Sequence, residues 1–319
     1  MNISSLKRGI RFMFETPRLF FDRIIMRLFK FLPDKLYLSI RYRLLMGEWI
    51  DWNSPSTFTE KIQWQKIYNR DHSYVKMVDK YAVKEYVGQI IGEDHVIPTL
   101  GVWNSVEDIV WDSLPDQFVL KTTHGGGSYG VLVCNDKSTL NYKQVGLRLK
   151  RALRQDIYKM YREWAYKNVP KRIIAEKYIQ DPSMTELADY KFFCFNGEPR
   201  LCQVIRNRHS NESVDIYNTE WEHQSFVGLN PPLPNIDDPV FYNGESAIEK
   251  PESLDLMLDI CRKLSKDIPF VRVDLYSVKN KVYFGELTFY PASGFGRFEP
   301  EEWNSILGKM LTLPGVPMN

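Results

Sequence analysis

Between Phe270 and Phe289 the chain carries two strand-like runs, Phe270 to Ser277 and Lys281 to Phe289, joined through Asn280. Side chains alternate across a strand, so Arg272 and Asp274 share one face and Glu286 and Thr288 share a face of the next run. A hairpin centred on Asn280 sets Asp274 opposite Glu286 and Arg272 opposite Thr288. Two carboxylates facing each other in a half-buried hairpin repel unless positive charge lies between them. Two readings satisfy that demand. A divalent cation such as Mg²⁺ takes one or two carboxylates and completes its shell with water and phosphate; alternatively, Arg272 neutralises both acids as a cross-strand cluster.

The rest of the chain has to supply a body for such a site. A length of 319 residues suffices for two or three packed lobes, and 44% hydrophobic with 26% charged residues is ordinary for a globular protein. The net charge of +2 does not advertise nucleic acid as a partner. Cys134, Cys194, Cys202 and Cys261 form no CxxC pair, and the five histidines show no zinc spacing, which points to a reducing compartment without a zinc site. No apolar stretch approaches the roughly 20 residues needed to span a bilayer, and the start lacks a signal-peptide core, so a cytoplasmic protein is expected.

Charge is nonetheless uneven. Residues 1–48 hold ten Lys or Arg against four Asp or Glu, an excess of six, while the remainder is acidic by four. Thr16 with Pro17 can start a helix there and Pro33 can stop it. On that helix Phe20, Phe21, Ile24, Ile25, Leu28, Phe31 and Leu32 fall on one side, with Arg18, Asp22, Arg23, Arg27 and Lys30 on the other. Such a basic amphipathic arm either packs its apolar stripe on the body or lies on an anionic membrane through residues 1–33. Beyond it, helical patterning resumes from Thr57 to Ile67 and from Lys80 to Ile91, the latter with Asp79 as N-cap. Strands follow at 118–121, 130–134 and 172–179, then a hairpin from Tyr190 to Ile205 turning at Asn196-Gly197. A proline-rich loop at 229–240 and a helix from Glu252 to Lys266 precede the final hairpin. Helices mixed with antiparallel strands in this order give an α+β protein of more than one lobe.

Two further stretches bear on chemistry. Lys121-Thr-Thr-His-Gly125-Gly126-Gly127-Ser128 joins two strands, either as a plain turn or as a phosphate lid whose backbone N–H groups and lysine meet an anion. It is neither a Walker A nor a dinucleotide fingerprint. Glu176-Lys177-Tyr178-Ile179 with Asp189 and Lys191 reads either as a charged surface strand or as a frame for a flat base and its ribose.

Taken in order, Lys80, the lysine before the glycine-rich loop, Glu-Lys-Tyr-Ile and Arg-x-Asp followed by Glu-x-Thr resemble the ATP-grasp superfamily. Thr57-Phe58-Thr59-Glu60-Lys61-Ile62-Gln63-Trp64 through Asp79-Lys80-Tyr81-Ala82-Val83 is similar to its TupA-like branch, associated with bacterial polysaccharide and teichuronopeptide synthesis. The resemblance spans about residues 50–310 and implies an ATP-grasp fold, with nucleotide held between two α+β lobes behind an N-terminal helical arm. The implied units are 1–48 (arm), 49–110 (N-terminal helical or substrate lobe), 111–180 (lid lobe) and 181–319 (C-terminal lobe with the Mg²⁺ site). It implies that Lys80 and Lys121 contact ATP phosphates and that Gly125, Gly126, Gly127 and Ser128 form the lid. Glu176, Lys177 and Ile179 match the adenine hinge, Asp189 the ribose contact, and Lys191 a phosphate or substrate contact. Asp274 and Glu286 match magnesium ligands; Thr288 stands where Asn is usual, and Arg272 matches the arginine facing the reacting group. Pro291-Ala292-Ser293-Gly294 resembles the substrate-side loop of related ligases.

The activity so implied is a Mg²⁺- and ATP-dependent carboxylate–amine ligase acting through an acyl phosphate. Its substrates would be a uronic-acid-containing saccharide and an amino acid, at the inner face of the cell membrane. The rivals are an ATP-grasp phosphotransferase and a non-catalytic scaffold of a polysaccharide assembly. A nucleotide-sugar glycosyltransferase is disfavoured because no Asp-x-Asp occurs.

Overall fold

The computed structural model describes residues 16–127, 129–181, 187–206, 213–231, 242–244 and 247–315. Its helices are α1 (Pro17–Leu28), α2 (Asp34–Met46), α3 (Phe58–Tyr68), α4 (Ser73–Val78), α5 (Ala82–Ile91), α6 (Tyr142–Leu153), α7 (Ile157–Tyr161), α8 (Leu254–Ser265) and α9 (Glu302–Met310). Its strands are β1 (Thr99–Trp103), β2 (Phe118–Thr122), β3 (Leu132–Cys134), β4 (Ile173–Lys177), β5 (Asp189–Phe195), β6 (Glu198–Arg206), β7 (Ser213–Asn218), β8 (His223–Gln224), β9 (Val227–Asn230), β10 (Phe270–Val278), β11 (Lys281–Thr288) and β12 (Arg297–Glu299).

Local chemistry sets several boundaries. A capping box starts α3: Thr57 Oγ1 accepts from the Glu60 N–H at 3.4 Å, and Glu60 Oε2 accepts from the Thr57 N–H at 3.1 Å. The Asp79 carboxylate accepts from the N–H groups of Tyr81 and Ala82, so α5 begins at Ala82 and Lys80 stands ahead of the helix rather than inside it. Of the expected loop at 229–240, residues 229–230 end β9, and 232–240 lie outside the described residues.

Two antiparallel sheets carry the architecture. The smaller runs β1-β4-β2-β3, and α6 packs Val145 and Leu149 against Phe118, Leu120, Ile173 and Ala175. The larger runs β11-β10-β5-β6-β7-β8 and packs with α8 and α3 into the main core. At one end of that core Phe58 makes edge contacts with Phe270 and Phe298, with ring centroids 5.0 and 5.9 Å apart.

The β10–β11 register pairs Asp274 with Glu286 and Arg272 with Thr288, as the alternation implies. The route to that register differs from a turn centred on Asn280. Lys279 and Asn280 both take positive φ and form a tight two-residue turn, and a bulge between Asp274 and Leu275 then restores the offset. Gly285 is the extra residue. A Cβ there would lie 2.9 Å from the Asp274 carbonyl oxygen, so only glycine permits the strands to approach at the charged pair.

The arm packs through a face that coincides only in part with the one its periodicity suggests: Ile25 and Leu32 of the expected apolar side turn inward, but so do Asp22 and Leu19. Asp22, assigned by periodicity to the polar side, is buried and paired with Arg41 Nε at 2.6 Å, while Leu19, Ile25 and Leu32 lie against Tyr37, Leu38 and Tyr42. Phe21, Leu28 and Phe31 face outward with 53%, 63% and 77% of their surface exposed. An ion pair 19 residues apart decides the orientation, because Arg41 is itself buried and needs a counter-charge. Thr16 occupies the N-cap position but its side chain makes no cap hydrogen bond.

Removing that counter-charge is expected to be costly. Asp22→Ala should destabilise the protein by about 3 kcal/mol, whereas the exposed Arg27→Ala should change stability by no more than about 0.5 kcal/mol. Urea denaturation of the two variants checks this; equal midpoints would show that the arm is not docked through Asp22.

Candidate active site

A cavity of about 970 Å³ lies between the two sheets, and side chains from both converge on it. The smaller sheet supplies Val119, Lys121, Glu176 and Lys177, and the segment after β4 supplies Tyr178 and Ile179. The larger sheet supplies Asp189 and Lys191 from β5, Arg272 and Asp274 from β10, and Glu286 and Thr288 from β11. Lys80 enters from the turn before α5, where its N–H donates to the Thr123 carbonyl at 3.0 Å. Asp79, next to it, holds Arg172 Nη2 at 2.6 Å. The start of the glycine-rich loop and the base of Lys80 are therefore tied to each other and to the smaller sheet.

The carboxylate pair is compensated by side chains. Arg272 Nε and Nη2 donate to the two Asp274 oxygens at 2.7 Å each, and Lys191 Nζ donates to Asp274 Oδ2 at 2.5 Å. Lys80 Nζ reaches Glu286 Oε2 at 2.8 Å, and Arg272 Nη2 stands 3.6 Å from Glu286 Oε1 and donates to the Thr288 hydroxyl at 3.2 Å. Lys191 also pairs with Asp189 at 2.8 Å. Burial raises the Asp274 carboxyl despite Arg272 and Lys191, whereas at Glu286 the positive charges of Lys80, Lys191 and Arg272 outweigh burial and hold the carboxyl far down. The pairing of opposed acids thus does not by itself require a metal, because Arg272 neutralises them with two lysines in support.

The donor chemistry nevertheless suits Mg²⁺. Asp274, Glu286 and Thr288 offer hard oxygen atoms on adjacent strands, all three on the cavity wall. Among the described residues no group of three or more His, Cys, Asp and Glu encloses a metal by itself, so an ion at this place would take its remaining ligands from phosphate and water, the common arrangement for Mg²⁺.

A second ionic cluster sits at the other end. Glu176 is buried between Lys121, 2.5 Å away, and Lys84, 2.7 Å away. Burial alone would raise its carboxyl, but the two ammonium groups keep it below the ordinary range, while burial lowers the Lys84 amine. Around it Ile97, Val119, Val131, Val133 and Leu187 make apolar walls of a kind that accepts a flat ring. The Lys177 N–H is committed to the Pro98 carbonyl at 3.0 Å.

Of the residues singled out in the sequence, Lys80, Lys121, Gly126, Gly127, Glu176, Lys177, Ile179, Asp189, Lys191, Arg272, Asp274, Glu286 and Thr288 all line this cavity. Gly125 is buried behind it and Ser128 lies outside the described residues. Gly127 takes φ +60°, a conformation that suits glycine at the loop tip. Sequence reasoning passed over Lys84, although it stands four residues after Lys80, and also Glu163, Tyr166 and Tyr290, which line the far end.

The sequence profile described as TupA-like ATPgrasp matches residues 60–312. A comparison with curated proteins returns no match. Among solved structures, D-alanine–D-alanine ligase from Bacillus anthracis complexed with ATP is similar at 15% identity and a TM-score of 0.36, over 67% of this chain and 54% of that one. D-alanine–D-alanine ligase from Helicobacter pylori is similar at 16% identity and a TM-score of 0.39, over 81% and 70%. The ATP-grasp ligase PsnB, complexed with minimal precursor, Mg and ADP, is similar at 11% identity and a TM-score of 0.36, over 79% and 60%. The chain spans a little over half the length of the first of these. With the profile covering most of its length, this α+β chain belongs to the TupA-like family of the ATP-grasp fold.

Proposed function

We propose that the protein is an ATP-dependent, ADP-forming carboxylate–amine ligase. The observation that carries this reading is the convergence of Lys80, Lys121, Lys191 and Arg272 with two opposed carboxylates in one cavity, next to an apolar slot. Adenine occupies the slot at Glu176, Lys177 and Ile179, with Asp189 toward the ribose. Lys80, Lys121 and Lys191 offset the charge of the triphosphate, and the loop Gly125–Gly127 with Ser128 closes over it to exclude water. Asp274, Glu286 and Thr288 would hold Mg²⁺, which when bound would supply charge neutralisation at the transferring phosphoryl group. Arg272 faces the reacting group. A substrate carboxylate attacks the γ-phosphorus to give an acyl phosphate and ADP, and an amine then displaces phosphate to leave an amide. By analogy with the branch the sequence resembles, we propose a uronic acid of a surface polysaccharide or its precursor as the acid and an amino acid as the amine.

Incubating the protein with ATP, Mg²⁺, uronic acids and amino acids tests this directly. The expected result is phosphate release that requires both an acid and an amine, with a product mass equal to their sum less one water. A product heavier by one phosphoryl group would instead establish a phosphotransferase. Asp274→Asn and Glu286→Gln should each lower turnover about 100-fold or more. Unchanged turnover in both would remove the assigned role of the carboxylates.

The arm adds a proposal about place. Among the described residues no helix is long and apolar enough to cross a membrane. The outward Phe21, Leu28 and Phe31 lie beside exposed Arg18, Arg23, Arg27 and Lys30, while the acids Asp22 and Asp34 are engaged by Arg41 and by Arg70 and Arg162. This face suits an anionic bilayer surface at the cytoplasmic side, each basic residue contributing about 1 kcal/mol there. The full-length protein should co-sediment with phosphatidylglycerol vesicles in a salt-sensitive manner, and Phe21→Ser, Leu28→Ser and Phe31→Ser together should abolish it. Equal sedimentation of parent and variant would refute membrane contact through this face.

A further inference from the structure

The end of the cavity beyond the carboxylate pair contains a construction that adenine and phosphate binding do not use. Glu163, only 7% exposed, reaches the cavity wall beside Tyr166, Tyr290 and Ser293. Ser293 Oγ donates to Glu163 Oε1 at 2.6 Å. Ser293 and Ala292 both adopt left-handed backbone conformations, with φ of 53° and 46°, which is strained for residues with a Cβ. The strain is held from behind. Gln63 Nε2 donates to the carbonyls of Ser293 and Gly294 at 3.0 and 2.8 Å, and the fully buried Lys66 donates to the Ser293 carbonyl at 2.7 Å. Buried polar side chains on α3 therefore fix a strained loop so that its hydroxyl orients one carboxylate at the cavity wall.

That carboxylate is placed for a cation. Lys66 does not line the cavity, and its ammonium donates to the carbonyls of Ser293 and Tyr161, so that it acts on Glu163 by its charge from behind while the Glu163 carboxylate is the acid on the cavity wall at this end. Tyr166 lines the same cavity as Glu163, Glu286 and Arg272. A carboxylate substrate would be repelled at Glu163 and attracted at Arg272, while an ammonium group has the opposite preference.

Building on the ligase reading, we propose that this end of the cavity is the amine subsite, and that Glu163 binds the incoming ammonium group and takes its proton. The Glu163 carboxylate accepts H⁺ from R–NH₃⁺ and becomes neutral. The freed lone pair forms the C–N bond at the acyl phosphate, the C–O bond to phosphorus breaks, and phosphate leaves with that electron pair. The second N–H proton departs with the phosphate. Burial raises the Glu163 carboxyl against the opposing charges of Lys66 and Arg41, which makes it a stronger proton acceptor. The other titratable groups around it are Tyr161, Tyr166 and Tyr290, whose hydroxyls burial also raises, and Arg272 and Glu286 across the cavity.

Hydroxylamine separates this role from a structural one, because it is uncharged at neutral pH and traps acyl phosphates without a base. The experiment compares hydroxamate formation with amide formation, using the acid and amino acid that support turnover in the parent, in Glu163→Gln and Glu163→Asp. Gln preserves the acceptor for Ser293 but not the base. In Glu163→Gln the ratio of amide to hydroxamate should fall at least ten-fold near neutral pH and recover as the pH rises toward the amine's own deprotonation. Glu163→Asp should restore part of the ratio. An unchanged ratio in Glu163→Gln, or loss of both products together, overturns the assignment of Glu163 while the ligase reading stands on the parent. A parent that yields neither product overturns both.

Discussion

The structure depends on a block of opposite charges, most of them buried, where two sheets face each other. Arg272, Lys191 and Lys80 are interleaved with Asp274, Glu286 and Asp189, and nearly every contact among them is at hydrogen-bond distance. Removing any one member leaves an uncompensated charge in a poorly solvated place, which costs far more than an exposed ion pair contributes. The block also fixes register, since a one-residue slip of β10 would turn Asp274 into the hydrophobic core and Val273 or Leu275 into the cavity. The turn before α5 and the strand β5 must then bring Lys80 and Lys191 to the same point.

How much of this was legible in the sequence follows from how local each cause is. The opposed pair on β10 and β11 was readable because strand alternation is a two-residue rule. The bulge at Gly285 that makes the tight turn compatible with that register was not, although the glycine itself marks the place. The cavity-lining set from Lys80 to Thr288 could be gathered only by resemblance, because nothing local brings residues some two hundred positions apart together. Asp22 was misplaced for the same reason: helical periodicity treats a lone acid as solvated, and its buried partner Arg41 belongs to the next helix. Lys84 on Glu176 and Glu163 at the cavity wall left no signal beyond residue types found in any surface segment, and the resemblance that marks Pro291-Ala292-Ser293-Gly294 as a substrate-side loop says nothing of the left-handed backbone at Ala292 and Ser293.

The same ion pairs bear on how the proposed reaction would begin. Each lysine proposed for a phosphate is held by a carboxylate: Lys121 by Glu176, Lys80 by Glu286, and Lys191 by Asp274. Nucleotide phosphates would draw the lysines away, and a divalent ion would replace them at the carboxylates. On this account the two ligands assist each other's binding, because each leaves vacant charge that the other neutralises.

Calorimetric titration of ATP into the parent protein and into Glu286→Gln, with and without Mg²⁺, tests that account most directly. It predicts that Mg²⁺ strengthens ATP binding at least ten-fold in the parent, and that Glu286→Gln both binds ATP better without Mg²⁺, Lys80 being released, and loses most of the Mg²⁺ enhancement. Equal ATP affinity in the parent with and without Mg²⁺, unchanged by Glu286→Gln, would contradict it.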